Sequence, residues 1–254
     1  MPGFSFDLGG RVALVTGASS GLGNRFARIF AASGARVVIG ARRVALLDSL
    51  RAEIEAEGGA ALPVAMDVAD EASVIAAYDA AADAFGCVDT VVANAGAAVS
   101  GSSLDLSAED FDRIVNVNLR GVFLTVREGA RRMVADGVAD GRVTIISSIT
   151  AHKVGRGIAT YSATKAAVAQ LGRALARDWA NRGINVNVLC PGYIRTEMND
   201  DVWDQPGGRE LLAGFPRRRV MSSDALDAMA LYLSSAASAQ TTGSVITIDD
   251  GQTL

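Results

Sequence analysis

The chain has 254 residues, half of them apolar and a fifth charged, with a formal net charge of −4. That is enough apolar material for a sizeable core, and the acidic balance excludes a general nucleic-acid binder. The N-terminus "MPGFSFDLGGRVALV" lacks the basic start and apolar stretch of a secretion signal, and no uninterrupted apolar run approaches the roughly 18 residues of a membrane span. Cys87 and Cys190 are far apart and in no metal-ligand spacing, so they read as buried, reduced thiols in a cytoplasmic protein.

Residues 11–17, "RVALVTG", form a first short apolar strand closed by a glycine turn, followed by a helix over 22–32. A strand at 35–41 leads to a helix at 44–57, and one at 61–66 to a helix at 71–85. The fourth strand, 89–96, precedes a long helix predicted over 110–135, with "SAED" before it resembling a capping box that carries Asp in the acidic place. A fifth strand at 141–148 is followed by a helix at 161–181, and a sixth at 184–192 by a helix at 224–234 behind an "SSD" start signal. The last strand covers 243–251. These runs are β-branched and mostly unalternating, as expected of strands covered on both faces. Seven strands alternating with six helices predict one α/β domain over 1–254, a doubly wound, seven-stranded parallel sheet with helices on both faces. Residues 196–215 carry Pro and Gly clusters and Trp203, which suggest a substrate lid. Arg217, Arg218 and Arg219 read as a solvated turn or, alternatively, a phosphate site.

The stretch "TGASSGLG", 16–23, lies between the first strand and first helix. Its spacing is G-x-x-x-G-x-G, not G-x-G-x-x-G. Glycines allow a tight turn and the approach of a pyrophosphate, with amides and helix dipole facing the anion. Gly17, Ser19, Ser20, Gly21, Leu22 and Gly23 are therefore candidate nucleotide contacts, although such a turn alone is also compatible with mere tight packing. After the second strand, "VVIGARRVALL" offers no acid for a ribose 2′-hydroxyl. Arg42 and Arg43 stand there instead. A guanidinium suits a 2′-phosphate, so NADP(H) is expected over NAD(H), unless both arginines are simply solvated. Asp67, with Val68, follows the third strand and either contacts adenine or caps a helix.

The fifth strand ends at Ser148, where ligands of open α/β sheets bind. Tyr161 and Lys165 lie four apart on the next helix, on one face. With "NAG" (Asn94, Ala95, Gly96), "VNL" around Asn118, "YSATK" and "PG" (Pro191, Gly192) in order, the whole chain resembles the short-chain dehydrogenases and reductases, in particular the 3-oxoacyl reductase-like members. The resemblance implies a Rossmann-like fold and hydride exchange between nicotinamide and a ketone or secondary alcohol. It implies Tyr161 as general acid or base, Ser148 bonding the carbonyl, Lys165 binding the nicotinamide ribose and lowering the phenol pKa, and Asn118 holding a water behind Lys165. Asn94, Ala95 and Gly96 would line the cofactor, and Ile194 and Thr196 would contact the carboxamide. It also implies a homotetramer or homodimer packed through the two long helices. A 3-oxoacyl thioester or a small cyclic or aromatic ketone is the expected substrate; an NAD-dependent alcohol oxidiser and a non-catalytic nucleotide sensor or scaffold are the alternatives.

Three residues depart from the family pattern: Ala93 before "NAG", Asp250 in place of a glycine, and Ser20 where many NADPH-dependent members carry a basic residue. His152, the only histidine, reads as a rim residue or substrate contact. Thr150, Tyr193, Met198, Trp203 and Phe215 are pocket candidates by position, and Asn116 is set aside because it faces away from Asn118 on a helix. No metal site is expected.

Overall fold

A computed structural model describes residues 6–196 and 200–254. Its centre is one parallel sheet of seven strands in the order β3-β2-β1-β4-β5-β6-β7. The strands are β1 (Val12–Thr16), β2 (Arg36–Ala41), β3 (Ala60–Ala65), β4 (Thr90–Ala93), β5 (Gly141–Ile146), β6 (Ile184–Pro191) and β7 (Val245–Ile248). The α/β, doubly wound expectation holds.

The helices are α1 (Gly21–Ala32), α2 (Val44–Ala56), α3 (Glu71–Phe85), α4 (Ala108–Val115), α5 (Gly121–Ala135), α6 (Ala159–Trp179), α7 (Pro206–Ala213) and α8 (Asp227–Ser234). Alternate strand residues feed two cores. Val12 and Leu14 pack with Val38, Val91 and Val143 beneath Tyr78 of α3, Val126 of α5 and Val168 of α6. Ala13 and Val15 pack with Val37, Ile39 and Val92 against Phe26 and Phe30 of α1, Leu47 and Leu50 of α2 and Ala230 of α8. Both faces are covered, which is why the strands read as continuous apolar runs. The chain winds outward from β1 to β3, then returns to place β4 on the other side of β1. At that switch the carboxyl ends of β1 and β4 part and open a crevice.

Three elements differ from the sequence reading. The helix expected over 110–135 starts at Ala108, with Ser107 Oγ accepting from Asp110 N at 3.0 Å. The acid does not close a capping box; the Asp110 carboxylate pairs with Arg113. A π-helical turn, Asn116–Arg120, then separates α4 from α5. The helix expected at 224–234 starts at Asp227, because Ser222 bonds the Asp224 carboxylate and the chain first makes turns at Ala225 and Asp227. The segment 196–215 contains α7, with Pro206 in its first turn. Among the described residues no helix is long and apolar enough to cross a membrane.

Candidate active site

The nucleotide end is built where β1 and β4 diverge. Thr16 Oγ1 accepts from the amides of Asn94 and Ala95, both at 3.0 Å, and Asn94 Nδ2 donates to Thr16 O at 2.9 Å. The glycine turn lies flat on this clamp. Gly17 has φ +69°, and a Cβ there would stand 2.9 Å from Ala95 Cα. A Cβ on Gly23 would stand 2.4 Å from Gly17 O. Gly23 therefore packs against the turn and, unlike Gly17, Ser19, Ser20, Gly21 and Leu22, does not line the cleft. Ser20 at the N-cap of α1 makes no side-chain cap, which leaves the helix start turned to the cleft without an internal acceptor from that residue.

Arg43 closes this end. Its guanidinium donates to Ser19 Oγ at 2.9 Å and to Ser20 Oγ at 2.7 Å. Arg42 and Arg43 are both exposed and line the cleft. Asp67 lines the cleft but does not cap α3: its Oδ1 accepts from Ala69 N at 3.0 Å, ahead of the helix, and Asp70 is the N-cap instead, accepting from Ala72 N. Val68, Asn94, Ala95 and Gly96 continue the wall. A glycine cradle too tight for side chains, beside two cations, fits the pyrophosphate and 2′-phosphate of NADP(H).

At the other end Ser148, 8 % exposed, caps a short 3-10 turn, with its Oγ accepting from Thr150 N at 3.1 Å. Tyr161 sits in the first turn of α6 and lines the cleft together with Ser148. Lys165 is 4 % exposed; its Nζ donates to Ile146 O at 2.9 Å and stands 5.5 Å from the centre of the Tyr161 ring. Ser147, which the sequence reading passed over, donates to Lys165 O at 2.7 Å and pins α6 to the end of β5. Asn118 lies fully buried in the π turn, a distortion that often marks functional sites. Its side chain is engaged with Ala97 (Nδ2 to O, 2.8 Å; Oδ1 from N, 2.7 Å) and with Thr164 Oγ1 at 3.1 Å. The amide thus braces the wall below Gly96. Asn116 is exposed.

The electrostatics differ from the expectation that the ammonium lowers the phenol pKa. Burial pushes Tyr161 up, opposed by the Ser148 hydrogen bond and aided by nearby Tyr193. Burial also pushes Lys165 down to about 8. The ammonium rests over the ring and bonds a backbone carbonyl, and burial is the largest influence on the phenol.

The third wall follows β6. Pro191, Gly192, Tyr193, Ile194 and Thr196 all line the cleft, and so do Thr150 and Phe215. Tyr193 stacks on Phe215 (centroids 5.6 Å apart) and meets Trp203 edge-on at 5.7 Å. Trp203 backs the pocket instead of lining it, and Met198 lies outside the described residues. His152 is exposed and off the cleft wall. Arg217 and Arg219 share the Asp250 carboxylate at 3.0 and 2.6 Å, so part of the basic run is engaged in a surface ion-pair cluster. Asp250 holds φ +52°, the conformation for which a glycine is the usual occupant. Gln252, absent from the sequence reading, is buried against Tyr193. The whole cleft measures about 1560 Å³ and runs from Arg43 to Phe215. Among the described residues no group of His, Cys, Asp or Glu is arranged to hold a metal ion.

Comparison with known proteins agrees with this architecture. Residues 11–207 match the family model for short chain dehydrogenases. The chain is 36 % identical over 251 residues to the D-threitol dehydrogenase of Mycolicibacterium smegmatis, covering 99 % of this chain and 96 % of that one. It is 36 % identical over 250 residues to the gluconate 5-dehydrogenase of Gluconobacter oxydans, covering 98 % and 97 %. The crystal structure of a gluconate 5-dehydrogenase from Burkholderia cenocepacia, in complex with NADP and tartrate, superposes with a TM-score of 0.91 at 36 % identity, covering 98 % and 97 %. The chain belongs to the short-chain dehydrogenase family. It is an oxidoreductase of the class acting on alcohol and ketone groups.

Proposed function

We propose that this protein interconverts a ketone and a secondary alcohol with NADP(H). The observation that carries the reading is that Ser148, Tyr161 and Lys165 line the same cleft as the glycine turn and Arg42 and Arg43. The NADP-bound gluconate 5-dehydrogenase gives further support for the cofactor.

The bound nicotinamide supplies or accepts the hydride. The chain supplies position, field and the proton. Ser148 and Tyr161 direct two hydroxyl donors at the substrate oxygen, where negative charge grows as the carbonyl is reduced. Tyr161, held up by burial, stays protonated at neutral pH and is loaded to donate its proton. In the oxidative direction the phenolate takes the alcohol proton, and this direction gains as pH rises. Lys165, its ammonium buried beside the ring, would hold the ribose hydroxyls of the cofactor and restrain Tyr161. Asn118 braces the wall behind both, and Asn94, Gly96, Ile194 and Thr196, which line the cleft, would border the nicotinamide.

The segment 196–215 acts as a lid: Gly207, Glu210, Leu211 and Phe215 on and after α7 face the cleft. The relatives' names point to polyhydroxylated substrates, threitol and gluconate. A decisive assay offers NADPH and NADH with 3-oxoacyl thioesters, cyclic ketones and keto-sugars, and NADP⁺ and NAD⁺ with the matching alcohols. Turnover with NADPH is the expected result. Binding of NADPH with no turnover across the whole panel would favour the sensor reading instead.

A further inference from the structure

The substrate end of the cleft depends on a residue that no motif announces. After β7 the chain folds into a compact tail, because the Asp249 carboxylate accepts from Gly251 N at 3.0 Å and from Thr253 N at 2.9 Å and Oγ1 at 2.6 Å. This places Gln252, 2 % exposed, against the loop that leaves β6. Its Oε1 accepts from Tyr193 N at 2.6 Å and its Nε2 donates to Tyr193 O at 3.1 Å. One side-chain amide thus pairs with both polar groups of a single residue, as a neighbouring strand would. The Gln252 carbonyl also accepts from Lys153 Nζ at 2.7 Å, which ties in the loop before α6. The fit is close: a Cβ on Gly192 would lie 2.4 Å from Gln252 Oε1.

What the amide holds is the backbone of Tyr193, whose ring stacks on Phe215 and meets Trp203 edge-on. Tyr193, Phe215, Lys153 and Gln252 all face the cleft. Among the described residues the Gln252 side chain bonds only Tyr193 and makes no hydrogen bond to Ser148, Tyr161 or Lys165. We propose that Gln252 is a positioning residue that fixes Tyr193 and thereby sets the width and affinity of the substrate end, leaving the cofactor end unaffected. This rests on the catalytic reading above, since it needs a substrate beside Tyr161. It also says why the tail belongs to the working enzyme: it serves as the backing of the substrate wall.

The test uses the full-length enzyme in a Trp179→Phe background, so that Trp203 is the only tryptophan. Gln252→Leu removes both bonds; Gln252→Glu keeps the acceptor for Tyr193 N and loses the donor. Trp203 is 3 % exposed in the native protein. In Gln252→Leu its quenching by acrylamide should rise at least about twofold, and KM for the best substrate of the panel should rise about tenfold. Turnover number and NADPH affinity should stay within about threefold, and Gln252→Glu should fall between wild type and Gln252→Leu. Unmoved quenching or an unmoved KM overturns the proposal, as does a joint loss of KM, kcat and NADPH affinity. If Gln252→Leu does not fold, Gln252→Glu decides by the same readings. If the enzyme turns over nothing, the catalytic reading fails by itself, and quenching still decides whether Gln252 anchors the aromatic wall.

Discussion

The two ends of the cleft are made in different ways. The nucleotide end is a product of local sequence: a strand, a glycine turn and a helix follow one another within β1 to α1, and Gly17 and Gly23 leave no room for a Cβ. The substrate end is assembled from distant pieces, with Tyr193 after β6, Phe215 after α7 and Gln252 in the tail meeting in one aromatic wall. The first end is fixed by backbone sterics, which tolerate little. The second is fixed by side-chain contacts that can be exchanged, so relatives with one fold can differ in substrate.

If that contrast holds, mutations at the first end should strike hardest and least selectively. Gly23→Ala is expected to lower NADPH affinity more than about a hundredfold, because its methyl group would push into Gly17 O and deform the cradle. Fluorescence titration with NADPH measures it, and near-native affinity would mean that the turn is not the phosphate site. Arg43→Ala sharpens the same end. It should weaken NADPH about ten- to a hundredfold and change NADH by less than about threefold, as the loss of a charged contact to one phosphate requires. Equal losses would remove the basis for the NADP preference.

A smaller effect links the chemistry to stability. The ammonium of Lys165 is buried and donates to Ile146 O, and burial holds its pKa at about 8, below the ordinary 10.5. Between those values the unfolded chain binds more protons, so the Lys165 contribution to stability is unfavourable below pH 8 and improves as pH rises to 10.5. Lys165→Met should therefore raise Tm at pH 7 by ~5 °C and lose that advantage progressively between pH 8 and 10.5. A gap that stays constant with pH would mean that the buried amine is not titrating there.

Sequence made some of this legible and hid the rest for identifiable reasons. Ser148, Tyr161 and the glycine turn were visible because each sits at an element boundary, and Lys165 because it lies one helical turn beyond Tyr161. The π turn at Asn116–Arg120 left no mark in "NVNLR", since apolar periodicity on either side hides a single extra residue. The helix α7 was masked by the weak helix formers Pro206, Gly207 and Gly208. Gln252 and Ser147 act through hydrogen bonds to residues 59 and 18 positions away, a separation that no local pattern records. The pKa direction of Tyr161 needed burial, which spacing alone does not give.

Tyr161→Phe, assayed with NADPH and the best ketone of the panel, tests the central claim most directly. Removing one hydroxyl should lower kcat about a thousandfold while NADPH affinity stays within about threefold. Turnover within about tenfold of the native enzyme would contradict the assignment of Tyr161 as the proton donor.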